Sequence, residues 1–125
     1  MEGRDNIVAA ESGLAIHNWH AHVYFDVDQA AAAQVLCETM RDKLNVPMGR
    51  LHTVPVGPHP RGSCQMTIPR DNIGAALEWL FAHRGDFTVF VHGNSGDDWI
   101  DHTRHILWVG SAEMLNLSIF ELGAA

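Results

Sequence analysis

The chain has 125 residues, one domain's worth, with 46% apolar and 18% charged residues, a balance rich enough for a core and too apolar for disorder. Fifteen acidic residues oppose eight basic ones, leaving a formal charge of −7. That charge argues against nucleic acid and against an anionic membrane surface as partners, since both need a basic patch.

No apolar run approaches the ~18 residues of a membrane span. The opening stretch MEGRDNIVAAESG lacks a basic start followed by an apolar run, so no secretory signal is expected. Residues 1–15 show weak periodicity and read as an extended arm, with a single domain over 16–125. Cys37 and Cys64 fall in different predicted elements and form no CxxC motif, so a disulfide is not expected and a reducing, cytoplasmic compartment is.

The first strand is Asn18 to Phe25: Trp19, Ala21, Val23 and Phe25 alternate with His20, His22 and Tyr24. Asp26 or Asp28 can cap a helix running to about Leu44, with Ala32, Leu36 and Met40 at helical spacing. Pro47 and Gly49 end it, and Arg50 to Val56 reads as a second strand. Gly57-Pro-His-Pro-Arg-Gly62 is a turn segment. The third strand, Ser63 to Ile68, sets Cys64, Met66 and Ile68 against Ser63, Gln65 and Thr67, and Pro69 breaks it. Asp71 or Asn72 can cap a second helix through Ile73, Leu77 and Leu80, with Gly85 as its stop. Phe87 to His92 is the fourth strand, with Val89 and Val91 opposite Thr88, Phe90 and His92. An acidic loop, Gly93 to Asp98, leads to Trp99, Asp101 and His102; the apolar stretches His105–Val109 and Leu115–Leu122 are expected to pack at the edge.

This order, βαββαβ plus a C-terminal extension, predicts an α+β ferredoxin-like sandwich: a four-stranded antiparallel sheet with both helices on one face. The first strand is then central, between the third and fourth. The other face carries His20, His22, Tyr24, Ser63, Gln65, Thr67, Phe90 and His92. With no helix over it, that face is expected to line a cleft or meet a second subunit.

The chain holds nine histidines, where ordinary composition gives about two or three. His20 and His22 lie on one strand face, roughly 6–7 Å apart. An antiparallel fourth strand brings His92 close to His20, so imidazoles from neighbouring strands can converge on one ion. His59, in the proline-rigid loop, is expected beyond Tyr24 at the far end of the first strand and reaches the cluster only if that loop folds back. His102 can swing back, and Asp101 can orient an imidazole or supply a carboxylate. His17, His52, His83 and His105 stand alone in ordinary segments and read as surface histidines, while Trp19, Trp79, Trp108 and Cys64 read as packing residues. Neutral imidazoles suit Fe(II), Zn(II), Cu and Ni alike, and an uncharged ligand set keeps the ion a strong Lewis acid toward a catecholate.

Several motifs together resemble a known family. Trp-His-Ala-His-Val-Tyr-Phe (19–25), Gly-Pro-His-Pro (57–60), the Leu-Glu-Trp-Leu segment reaching His-Arg-Gly (77–85), Val-His-Gly-Asn-Ser-Gly-Asp continuing to Asp-His-Thr (91–103) and Trp-Val-Gly (108–110) are similar, in order and spacing, to the small DOPA 4,5-dioxygenase family of fungi and bacteria. The similarity covers roughly residues 16–110. The chain departs at Gly93, where the family commonly has proline after the histidine.

The resemblance implies an extradiol ring-cleaving dioxygenase on a ferredoxin-like fold, as a homodimer. On that footing Fe(II), or Zn(II) or another divalent ion in purified protein, would be held by His20, His22 and His92. A small aromatic diol such as DOPA and O2 would be the reactants and a semialdehyde the product. His59 or His102 would move a catechol proton, and Tyr24 would hydrogen-bond the substrate or the oxygen reactant. Two other readings remain at this point. One is a noncatalytic dimeric module that binds a metal or small molecule through the histidine-lined face. The other is a haem-using or cofactor-independent oxygenase, which three converging histidines disfavour because haem needs one axial ligand.

Overall fold

The structure, a computed structural model, describes residues 15–124. The expected N-terminal arm therefore lies, apart from Ala15, outside the described residues. Strand β1 (Asn18–Phe25) leads through a 3-10 turn (Val27–Gln29) into helix α1 (Ala30–Leu44). Strands β2 (Met48–His52) and β3 (Gly62–Pro69) follow, then a 3-10 turn (Arg70–Asn72) and helix α2 (Ile73–His83). Strand β4 (Thr88–Asn94), the short helix α3 (Asp98–Thr103), strand β5 (Ile106–Val109) and helix α4 (Ser118–Ala124) complete the order.

Among the described residues the sheet has five strands in the order β2-β3-β1-β4-β5, each pair antiparallel. Its first four strands have the ferredoxin-like arrangement expected. The correction is one of count: Ile106–Val109 joins the ladder beside β4 as a fifth strand instead of merely packing at the edge. Among the described residues, no helix is long and apolar enough to cross a membrane.

The alternation of β1 sets the two faces. Ala21, Val23 and Phe25 meet Cys64, Met66, Ile68, Val89 and Val91 under α1 and α2, which contribute Leu36, Met40 and Leu80. Each large side chain fully buried there contributes about 1.5–3 kcal/mol. Cys37 and Cys64 are free and buried in this layer, and a hydrogen bond to Cys64 together with burial pushes the Cys37 thiol up. Both cysteines act as packing groups.

Several elements differ from the sequence reading, among them helix α4, where only an apolar edge stretch was expected. Strand β2 runs from Met48 to His52, not to Val56, because Pro55 has no N–H for a ladder and the chain turns outward with Val54 exposed. Within β2 the register slips: Met48 pairs with Met66 but Leu51 pairs with Cys64. Three steps on β2 thus oppose two on β3, a bulge of the kind that re-aims side chains. Another difference is α3, which has no counterpart in the expectation; Asp97 caps it by accepting from Ile100 N–H at 3.0 Å.

The helix-free face is not left open. The segment after β5 folds across it and is fastened to the loop before β3. Arg61 donates twice to Glu113, at 3.0 and 2.8 Å, and the Asn116 N–H donates to Pro58 O at 2.8 Å. Tyr24, Phe90 and His92 are buried on this face, with His59, Trp108 and His102 packed against them. Part of the face lines a cleft, as expected, between the Gly57–Gly62 turn, β2 and β3.

Candidate metal centre and its cleft

Strands β1 and β4 pair with His20 opposite His92 and His22 opposite Phe90. Period-two alternation sends all four side chains to the same face. His20, His22 and His92 each offer one ring nitrogen, and these nitrogens lie within 4.8 Å of one another. The His22 and His92 Nε2 atoms are 3.0 Å apart, and those two rings stack at 5.1 Å with 17° between their planes. Two nitrogens each ~2.1 Å from one ion and subtending a right angle at it would be separated by ~3.0 Å, so the pair already has the spacing of adjacent ligands. His20 lies edge-on to both rings, at 5.8 and 5.2 Å, so its ring comes from a different direction. An all-imidazole donor set in this spacing fits a divalent transition metal.

Burial keeps these rings uncharged. It holds His22 well below the ordinary imidazole value and lowers His20, while His92 falls to about 3. The neighbouring imidazoles push in the same direction, because a second positive charge in the cluster would repel the first. Ligation requires neutral imidazole, so the fold has already met the protonation requirement.

His59 lies beside the cluster after all. Its ring is 4.1 Å from that of His22, and its Nδ1 is 2.7 Å from the Tyr24 hydroxyl oxygen. The expectation that it sits at the far end of β1 is corrected: the Gly57–Gly62 turn folds back over the sheet, held by the Arg61–Glu113 pair and the Pro58–Asn116 bond. Burial lowers His59 to about 4. Tyr24 is fully buried, flanked by Phe90 and Trp108, and burial raises its hydroxyl, so it remains a phenol.

His102 does swing back. Helix α3 places its ring 4.2 Å from His92 and 4.5 Å from Phe120 of α4. Its Nδ1 bonds the Asp98 carbonyl at 2.8 Å. Asp101 is not among the three clustered ligand groups; it accepts from the Ser95 N–H at 2.8 Å, the Ser95 hydroxyl at 2.6 Å and His105 Nδ1 at 2.9 Å. It therefore orients His105, which the sequence had left as a surface residue. Gln65 completes the surroundings, with its Nε2 3.3 Å from His20 Nε2 and 3.5 Å from the Thr67 hydroxyl.

A cleft of about 200 Å³ opens beside the cluster, with His22 and His59 on one side and Gln65, Ser63, His52 and Arg50 around the rest. Alternation in β3 had already put Gln65 and Ser63 on this face. Arg50 and His52 were missed: the bulge that turns them toward the cleft leaves no periodic signal.

Over residues 19–119 the chain matches the Dopa 4,5-dioxygenase family. It is 31% identical over 113 residues to the DOPA 4,5-dioxygenase of Amanita muscaria, an alignment covering 82% of this chain and 49% of that protein. It is 29% identical over 110 residues to an uncharacterized 21.2 kDa protein of Botryotinia fuckeliana, covering 78% and 60%. The chain thus spans 49% and 60% of the lengths of these curated relatives. The crystal structure of a candidate dioxygenase from Nostoc punctiforme is similar with a TM-score of 0.72 and 33% identity, covering 88% of this chain and 95% of that one. On the match of fold, motifs and most of its length, the chain belongs to the Dopa 4,5-dioxygenase family.

Proposed function

We propose that the chain is a metal-dependent extradiol dioxygenase that opens the ring of a catechol such as DOPA. The observation that carries this reading is the set of three neutral imidazoles, from β1 and β4, whose ring nitrogens lie within 4.8 Å of one another beside an open cleft. A purely structural metal site would be closed on all sides. In the reaction the C–C bond beside the diol breaks, both atoms of O2 enter the product, and a semialdehyde forms.

His20, His22 and His92 would hold the ion, Fe(II) in our reading. When bound, it would supply a Lewis acid that acidifies the diol and a common anchoring point for both reactants. The chain's own groups do the rest. His59 lines the cleft with its ring 4.1 Å from that of His22, and we assign it as the proton acceptor for the acidified phenol. Tyr24 is a positioning residue: its hydroxyl oxygen lies 2.7 Å from His59 Nδ1, and in the tautomer protonated at Nδ1 that bond leaves Nε2 free to take the substrate proton and return it on ring opening. His102 is packed between His92 and Phe120 on the side away from the cleft, and we assign it to fixing the His92 ring. Phe90 and Trp108, 4.6 Å apart, form an apolar wall that keeps water from the buried side of the cluster.

The test is direct. Protein loaded with Fe(II) without air, then given L-DOPA and O2, should consume oxygen and give a yellow semialdehyde. Absence of oxygen uptake with any catechol would overturn the reading.

A further inference from the structure

The cleft carries one feature that ring cleavage itself does not require. Arg50 lines it, and among the described residues Arg50 makes no ion pair and no side-chain hydrogen bond. Arg41, Arg61 and Arg70 each pair with a carboxylate. The remaining lining residues include histidines, Ser63 and Gln65 but no Asp or Glu, so the guanidinium is the cleft's fixed formal charge. Lys43, Arg84 and Arg104 also form no ion pair among the described residues, but of these four cations Arg50 is the one that lines the cleft.

Its position is built into the sheet. A regular ladder would let one β2 residue face the site between Met48 and the next core residue; the bulge between Met48 and Leu51 puts both Gly49 and Arg50 there. Gly49 makes this possible, since a Cβ at that position would lie 3.2 Å from the Gln65 carbonyl oxygen. The bulged strand lies against β3, and the cleft runs from Arg50 across Gln65 and Ser63 to His22 and His59. At about 200 Å³ the space suits a single ring with a short side chain.

We propose that Arg50 is a specificity-determining residue that binds a carboxylate on the substrate's side chain, while the diol end points toward His22 and His59. The cleft thus selects anionic catechols over neutral or cationic ones. A guanidinium pairs with a carboxylate through two parallel N–H bonds, and an exposed cation at the mouth also draws the anion in. This inference rests on the dioxygenase reading for its choice of substrate ring, but not for its charge preference.

The experiment compares 4-methylcatechol, dopamine and 3,4-dihydroxyphenylpropionate as substrates of Fe(II)-loaded wild type, Arg50→Met and Arg50→Lys. Wild type should favour the carboxylate by about 10–100-fold in kcat/KM over 4-methylcatechol, with dopamine poorest. Arg50→Met should remove that preference through KM, while Arg50→Lys should retain part of it. An unchanged carboxylate preference in Arg50→Met would overturn the inference. If wild type turns over none of these diols, the dioxygenase reading fails, and anaerobic binding followed by tryptophan fluorescence decides the Arg50 question separately. Tighter binding of the propionate than of 4-methylcatechol, lost in Arg50→Met, supports it; equal binding by wild type and variant overturns it.

Discussion

His22 and His92 face each other through their Nε2 atoms at 3.0 Å, joining two strands whose residues are 70 positions apart in the chain. At that distance one neutral ring donates N–H to the other. Ligation requires both lone pairs, so that hydrogen must move to Nδ1, which on His92 lies 3.4 Å from the Gly93 carbonyl. The cluster is thus a polar network inside the fold that an ion or a hydrogen bond can complete.

The same burial makes stability depend on pH. The folded values of His59 (about 4) and His92 (about 3) lie below the ordinary 6.5, so below pH 6.5 the unfolded chain binds protons that the folded chain refuses. Stability of the metal-free protein should be level above pH 7. It should fall as pH drops from 6.5 toward 4, at up to about 1.4 kcal/mol per pH unit for each such histidine. Urea unfolding midpoints across this range measure it, and a midpoint that stays level down to pH 5 would show that the rings are not held neutral.

Tyr24→Phe preserves the ring packed against Phe90 and Trp108 and removes only the oxygen beside His59. Loss of one buried hydrogen bond should cost about 1–2 kcal/mol of stability. If Tyr24 orients His59, kcat should fall about tenfold while KM stays within about twofold. Equal kcat in variant and wild type would leave Tyr24 a packing residue.

The Arg61–Glu113 pair, with both side chains about three-quarters buried, fastens the C-terminal segment over the sheet. Its coupling, taken from the two single alanine variants and the double, should be about 0.5–1 kcal/mol. The single variants should also speed protease cleavage in the segment 110–117, because the tether is shared with the Pro58–Asn116 bond. Unaltered cleavage would mean that the segment is held by other contacts.

Local packing favours glycine at position 93. A Cβ there would lie 2.5 Å from Ile16 Cδ1, and the Gly93 N–H donates to His105 O at 2.9 Å. Gly93→Ala should cost about 1–2 kcal/mol, and Ile16→Ala should absorb part of that loss in the double variant. Gly93→Pro should cost more, since it also removes the donor. Thermal unfolding of the four proteins checks the order; an Ala variant as stable as wild type would mean that Ile16 moves aside freely.

Much of the site was legible because it rests on strand alternation. The pattern around His20, His22 and Tyr24 gave their shared face, and an antiparallel fourth strand set His92 beside His20, which is the observed pairing. What stayed hidden has no period. His59 is carried inward by a turn whose anchors, Glu113 and Asn116, lie some fifty residues away. The bulge that turns Arg50 to the cleft is a register slip, visible only against β3. Helix α3 did leave a signal in Asp97, whose carboxylate meets the N–H three residues on, but six helical residues are too few for a periodic stripe.

The central claim is that three histidines hold one catalytic ion, and metal content tests it most directly. Wild type, His22→Ala and His92→Ala should be loaded anaerobically with Fe(II), freed of excess metal and analysed for iron, with circular dichroism to check that each is folded. The expected result is one tightly held iron per wild-type chain and less than about a tenth of that in either folded variant. Equal iron in wild type and both variants would contradict the claim, because the ion would then be bound elsewhere.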